Sequence, residues 1–311
     1  MNRSSYFVLG VFALILFFSC DKKSKEVQPE EIAETAVAGS TTILVDETIF
    51  PIVEDLATVF ESEYRRAKVN LVALPEADIL EQIKVDKARI AILARDLDTT
   101  EVVYYNQQKH VFPRRTQFAV DAIAFIGNKA IADSVLTKNN LVDLMKGNMS
   151  GNFQALVFDN PYSSNLRELY KLADISELPK QGVFSMKSNK EVVKYVSEHK
   201  NAVGIVGVNW LLQPSNDVEP YVKNVKVLAV ENVKVTEKNK YFKPNQTNIA
   251  DGTYPVQRKL FLINFQGATG LGMGFASYIA GDKGQRIVLK SGLVPKKFPT
   301  REIAVRDKVE K

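Results

Sequence analysis

From residue 39 onward, short apolar β-type runs alternate with segments whose apolar residues recur every three or four positions. That alternation restricts the chain to an α/β fold, because each amphipathic helix needs a sheet face to cover. Residues 41–45 form a β-prone run, and Thr48 stands where it can cap a helix starting near Pro51, a position that tolerates proline. Ile49, Ile52, Val53, Leu56, Val59, Phe60 and Tyr64 then fall on one helical face. Residues 69–74 read as a strand, 77–88 as a helix with Ile79, Leu80 and Ile83 inward, and 89–94 as a strand. This β-α-β-α-β series implies a parallel sheet with covering helices. Downstream, 119–127 is an apolar strand interrupted by Asp121, and 155–158, 202–208, 225–230 and 259–265 are further strands. Helices are expected at 141–146, 164–172, after the Ser188/Glu191 capping box, at 271–280, and at 282–290, where Gly292 stops the helix. The polar stretches 209–224 and 232–253 read as long surface loops, and there is no internal repeat.

With 311 residues, 45% hydrophobic and 25% charged, the chain suits one large domain or two medium ones. Its single cysteine excludes an intrachain disulfide and a Cys-built zinc or iron–sulfur site. Only two histidines, His110 and His199, are present, so no metal or other cofactor is expected. The 41 basic residues are dispersed among 36 acids, which argues against nucleic acid as a partner despite the net charge of +5. No Walker A, G-x-S-x-G or H-E-x-x-H sequence occurs, and no enzymatic activity is expected. The glycine-rich run 267–274 lacks dinucleotide-site spacing and reads as close helix packing.

The N-terminus is a targeting segment. Arg3 precedes an apolar run over 6–18, too short for the ~20 residues of a spanning helix, so 1–19 reads as a signal peptide. Phe17-Phe18-Ser19-Cys20 resembles a bacterial lipobox, with Phe17 where leucine is usual. Cys20 is then the lipidation site, and 20–38 a polar tether between a membrane facing the periplasm or cell exterior and the folded body.

Eight segments appear in an order that carries a resemblance: Gly39-Ser40-Thr41-Thr42, Ile92-Leu93-Ala94-Arg95-Asp96, the strand from Asp121 to Asn128, and Asn140-Leu141-Val142-Asp143-Leu144-Met145-Lys146-Gly147. After them come Ser163-Ser164-Asn165, Ala202-Val203-Gly204-Ile205-Val206-Gly207, Tyr254-Pro255-Val256-Gln257-Arg258, and Gly284-Gln285-Arg286 with Gly292-Leu293-Val294-Pro295. Together they resemble the phosphate-type solute-binding proteins of ABC transporters. The resemblance implies a two-lobed, periplasmic-binding-protein-like (type II) α/β fold, with mixed sheets flanked by helices and a cleft between lobes. Lobe one would be 39–118 plus 257–311, and lobe two 119–256. It implies a monomer that closes on a small inorganic oxyanion, phosphate first, and passes it to an ABC permease. The alternative is a lipoprotein that keeps the fold but serves as a sensing or interaction module, or binds another polar solute.

Carried over position by position, the resemblance makes Ser40, Thr41 and Thr42 a hydroxyl loop and Asp96 the acceptor for a protonated phosphate, with Arg95 beside it as a charge partner. Ser163, Ser164 and Asn165 open a helix, where hydroxyls and free N–H groups would meet the ligand. Two positions depart from the pattern. Glu76 replaces a serine donor and Asp159 replaces an arginine. One uncompensated charge ~4 Å from a unit anion costs about 4 kcal/mol at an effective dielectric near ~20, roughly three decades of affinity. Either Arg95, Arg114, Arg115 or Arg167 compensates, or the ligand is not phosphate.

Overall fold

The computed structural model describes residues 34–235, 241–267 and 269–300. The expected signal peptide, Cys20 and most of the expected tether lie outside them. The strands are β1 (Gly39–Asp46), β2 (Ala67–Leu74), β3 (Ile90–Leu93), β4 (Arg114–Asn128), β5 (Val135–Leu136), β6 (Ala155–Phe158) and β7 (Val183–Ser185). They continue as β8 (Ala202–Gly207), β9 (Val225–Val227), β10 (Ala229–Glu231), β11 (Tyr241–Phe242), β12 (Gln257–Asn264) and β13 (Val294–Pro295). The helices are α1 (Phe50–Glu63), α2 (Glu76–Lys84), α3 (Thr99–Val103), α4 (Lys138–Met145), α5 (Ser164–Ala173) and α6 (Asn189–Glu198). After them come α7 (Asn209–Leu212), α8 (Glu219–Val222), α9 (Gln246–Ala250), α10 (Leu271–Ala280) and α11 (Asp282–Lys290).

The main sheet runs β2-β1-β3-β12-β4-β8-β6-β7, with β13 and β9 also on β4, and β11-β10-β5 form a small second sheet. β1 is parallel to β2 and β3, and β6 is parallel to β7 and β8, as short strands joined by helices require. The whole is mixed, because β12 runs antiparallel to both β3 and β4, and β4 antiparallel to β8. β4 is the pivot of this plan. Its first part pairs with β12 as far as Ala122, and from Ile123 its partners are β8 and β9. Residues 118–127 of β4 are almost all buried, which is why that stretch is nearly continuous apolar sequence.

Amphipathic faces anchor the helices. α1 buries Ile52, Val53, Leu56, Ala57 and Phe60, and Phe60 meets Phe275 and Tyr278 of α10 edge-on at 5.3 and 5.2 Å. Val59, expected on that face, is exposed. The glycine-rich segment does serve close packing. A Cβ at Gly274 would stand 1.7 Å from the Ala36 carbonyl oxygen, and one at Gly272 would stand 2.2 Å from Ile90. The same contact corrects the expected tether, whose last residues belong to the body. Glu34 accepts a hydrogen bond from the Leu271 N–H at 2.9 Å, and Ala38 is buried. The two stretches expected as loops hold α7 and α8, and β11 and α9, elements too short to show a period.

Candidate functional site

In open α/β sheets, ligands bind outside the carboxyl ends of the strands. Here those ends converge. β1 ends at Asp46 and continues into a 3-10 turn carrying Glu47 and Thr48; β2 leads to Glu76, β3 to Arg95, β6 to Asp159, and β8 ends at Gly207. The first residue of α6, Asn189, and the start of α5 complete the ring.

At its centre lies Arg258. It sits in β12 directly opposite Asp121 of β4, and the two form a fully buried ion pair. Its Nη1 also donates to Thr48 Oγ1 at 3.0 Å, to Ser164 Oγ at 2.9 Å and to Asn165 Oδ1 at 2.9 Å. Thr48 and Ser164, 116 positions apart in sequence, share a hydrogen bond of 2.9 Å. Close approach depends on Gly207, where a Cβ would stand 2.1 Å from the Thr48 carbonyl oxygen. Asp46 Oδ1 accepts from the Thr48 N–H at 3.0 Å. Asp46, rather than Thr48, therefore caps the turn, and the Thr48 hydroxyl is free to face Ser164 and Arg258.

Beside this cluster, Asn189 joins two carboxylates. Its Nδ2 donates to Glu47 Oε2 at 2.5 Å and to Asp159 Oδ2 at 3.1 Å, its backbone N–H donates to Glu47 Oε1 at 3.1 Å, and its Oδ1 accepts from the Gly207 N–H at 3.0 Å. Asp159 also accepts from Ser163 Oγ at 2.8 Å and from Asn165 Nδ2 at 3.4 Å. Burial, then the neighbouring Asp159 charge, pushes Glu47 up to about 8. Burial and the Asp46 charge push Asp159 up to about 6, against the lowering effect of the Ser163 bond. Asp46 Oδ2, Asp121 Oδ1 and Arg258 Nε are buried with no partner among the described residues.

At the rim, Glu76 is held between Arg95 Nε at 3.1 Å and Arg167 Nε at 2.8 Å. Arg95 in turn forks onto Glu101 at 2.7 and 2.6 Å. Asp96, half-exposed, pairs with Arg115 at 3.2 Å.

A family model described as a PBP superfamily domain matches residues 31–283, most of the chain. The chain belongs to the PBP superfamily. The phosphate-binding protein PstS of Borreliella burgdorferi is 22% identical over 296 residues, covering 90% of this chain and 94% of that relative. A substrate-binding protein from Clostridium perfringens, crystallised with bound phosphate, superposes with a TM-score of 0.67 at 17% identity over 83% of this chain and 100% of that one. An ABC-type phosphate transport receptor from Vibrio cholerae gives a TM-score of 0.61 at 18% identity, again over 83% of this chain and 100% of that chain. The two-lobed, cleft-forming α/β fold expected from the sequence is the fold of this superfamily.

Within that frame the expected site residues separate. Ser163, Ser164 and Asn165 are brought to the central cluster, and Ser163 also caps α5 through the Leu166 N–H at 3.3 Å. Glu76 and Arg95 lie beside it, bound to each other, while Asp96 is paired with Arg115 and bonded to none of the central residues. Ser40, Thr41 and Thr42 are not in the site. They open β1, opposite Lys68, Val69 and Asn70 of β2, and at ~3.3 Å per residue Thr42 lies more than ~13 Å along the strand from Asp46. The Gly39 to Thr42 motif is the entrance of the strand, whereas the candidate site lies at its exit. Glu47, Thr48, Asn189 and Arg258 were missed as site residues. Two signals pointed to three of them: the polar triplet at the exit of β1 for Glu47 and Thr48, and for Arg258 the facing Asp121, a charge within the buried apolar run 118–127 of β4.

Proposed function

We propose that this PBP-superfamily chain is a lipid-anchored, monomeric solute-binding protein. It closes two lobes, 39–118 plus 257–311 and 119–256, on a small oxyanion, phosphate first, and delivers it to an ABC permease. The observation that carries this reading is the buried Arg258 guanidinium. It is ringed by hydroxyl and amide groups from Thr48, Ser164 and Asn165 where the two parts of the sheet meet. Such a cluster supplies directed donors and one fixed positive charge to a small anion. The names of the similar proteins support phosphate as the anion. The partner change along β4 after Ala122 and the return of the chain through β12 support a hinge at those two strands. The Glu76 departure is compensated, as the oxyanion reading requires, by Arg95 and Arg167.

A second reading draws on Asp159, which has no arginine of its own and is satisfied by Ser163, Asn165 and Asn189. It would make the chain a sensing or interaction module without a transported anion. Calorimetric titration of residues 21–311 with phosphate, sulfate and a panel of neutral and cationic solutes decides between them. Saturable phosphate binding upholds the first reading; no anion binding at any pH overturns it. Unchanged membrane partitioning of Cys20→Ser would remove the lipid anchor.

A further inference from the structure

Glu47 and Asp159 come together beside the Arg258 cluster from two different elements, one from the turn after β1 and the other from the end of β6. A single carboxamide, Asn189, stands between them and donates to both. Neither carboxylate is in an ion pair among the described residues. The charged groups facing them are Asp46 at the end of β1 and Arg258 from β12, whose Nη2 is given to Asp121 of β4. α5 and α6 turn only uncharged Ser163, Asn165 and Asn189 toward the pair. Four carboxyls, at 46, 47, 121 and 159, therefore share one guanidinium. An oxyanion entering such a place adds to a negative excess that one arginine cannot balance.

A neutral carboxyl removes that difficulty in two ways: it carries no charge, and its O–H is a donor where the carboxylate could only accept. Building on the oxyanion reading above, we propose that Glu47 and Asp159 are the specificity-determining pair of this cleft, admitting an oxyanion only as neutral carboxyls. Solute capture is then linked to proton uptake by the protein itself. Burial raises both groups in the direction this needs, Glu47 to about 8 and Asp159 to about 6. Glu47 is the group that changes state around neutral pH, and Asp159 follows it on the acid side. Glutamine at 47 and asparagine at 159 mimic the neutral forms and keep an amide donor.

The test is phosphate titration of wild type and Glu47→Gln by calorimetry at pH 5.5, 7.0 and 8.5. The ionisation of phosphate itself is common to both proteins and cancels in the ratio of their affinities. That ratio, variant over wild type, should grow about fourfold from pH 5.5 to pH 8.5, nearly all of it above pH 7.0. Titrations at pH 8.5 in two buffers of unlike ionisation heat should show most of one more proton taken up per phosphate by wild type than by the variant. A ratio that stays constant with pH, or equal proton uptake, overturns the proposal. If neither protein binds phosphate at any pH, the oxyanion reading fails, and thermal unfolding judges the carboxyl assignment separately. A melting-temperature gain of Glu47→Gln over wild type that appears at pH 8.5 and vanishes at pH 5.5 upholds a neutral Glu47, and an equal difference at both overturns it. Asp159→Asn, measured alongside, keeps the test open if the first variant fails to fold; its ratio should already rise several-fold between pH 5.5 and 7.0, where that of Glu47→Gln stays nearly level.

Discussion

The rim and the centre of the cleft both hold acids where a phosphate site would want donors, and the chain handles them by opposite means. At the rim, Glu76 is clamped by two arginines, one from the loop after β3 and one from α5. At the centre, Glu47 and Asp159 are met by amides and a hydroxyl instead. Burial raises Glu76 as well, but Arg167 and Arg95 pull it back, whereas only amides and a hydroxyl oppose burial at Glu47 and Asp159. Glu76 thus has cations at hand to hold its charge, while Glu47 and Asp159 have none beside them.

The comparison breaks most visibly at Arg258. Replacing it by methionine leaves Asp121 buried without its partner, an arrangement expected to lower unfolding free energy by about 3–5 kcal/mol in denaturant titration. The double variant Arg258→Met with Asp121→Asn should recover most of that loss. If the single variant is as stable as wild type, Arg258 is not holding the two strands together.

The centre's charge state makes stability depend on pH. Glu47 has a raised folded-state value, about 8 against an ordinary 4.5, so the folded protein binds more protons than the unfolded chain across that window. Stability from this group is full below 4.5 and is lost as pH rises through about 8. Because Glu47 is only partly buried, solvent trims the effect to about 2–3 kcal/mol between pH 5 and 9. Glu47→Gln should remove most of that slope. A wild-type stability that is level over this range would show Glu47 ionised throughout.

How much of this was legible beforehand differs between fold and site. Periods of two and three to four residues located α1, α5, α10 and α11 because each buries one continuous face, and β6 because both its faces are covered. The site depended on which end of β1 faces the cleft, and a pattern of hydroxyls at Ser40 to Thr42 looks the same at either end of a strand. Ser163, Ser164 and Asn165 were found because a helix start marks its own direction. Asn189 could not be singled out, since an asparagine after a capping serine is ordinary helix-opening sequence. Its role comes only from long-range closure onto Glu47, 142 positions away.

At the rim a smaller effect is expected, and it should be one of stability before affinity. Arg167→Gln takes one of two arginines from Glu76, which keeps Arg95, so the loss should be about 1–2 kcal/mol, read from denaturant midpoints. Raising salt should narrow the difference only slightly, because Glu76 is buried. A large loss of phosphate affinity with unchanged stability would instead place Arg167 among the ligand's own partners.

The smallest effect tests whether Ser163 belongs to the helix or to the cleft. Its hydroxyl accepts from the Leu166 N–H and donates to Asp159, so it serves both. As a cap alone, Ser163→Ala should lower stability by about 1 kcal/mol at every pH. The bond to Asp159 adds a second expectation, because it favours the ionised carboxyl and holds its value below what burial alone would give. Without that hydroxyl Asp159 should titrate higher than about 6, and the stability difference between Ser163→Ala and wild type should widen as pH rises through that value. A difference that stays flat from pH 5 to 8 would assign the hydroxyl to the helix and leave Asp159 to its amide partners.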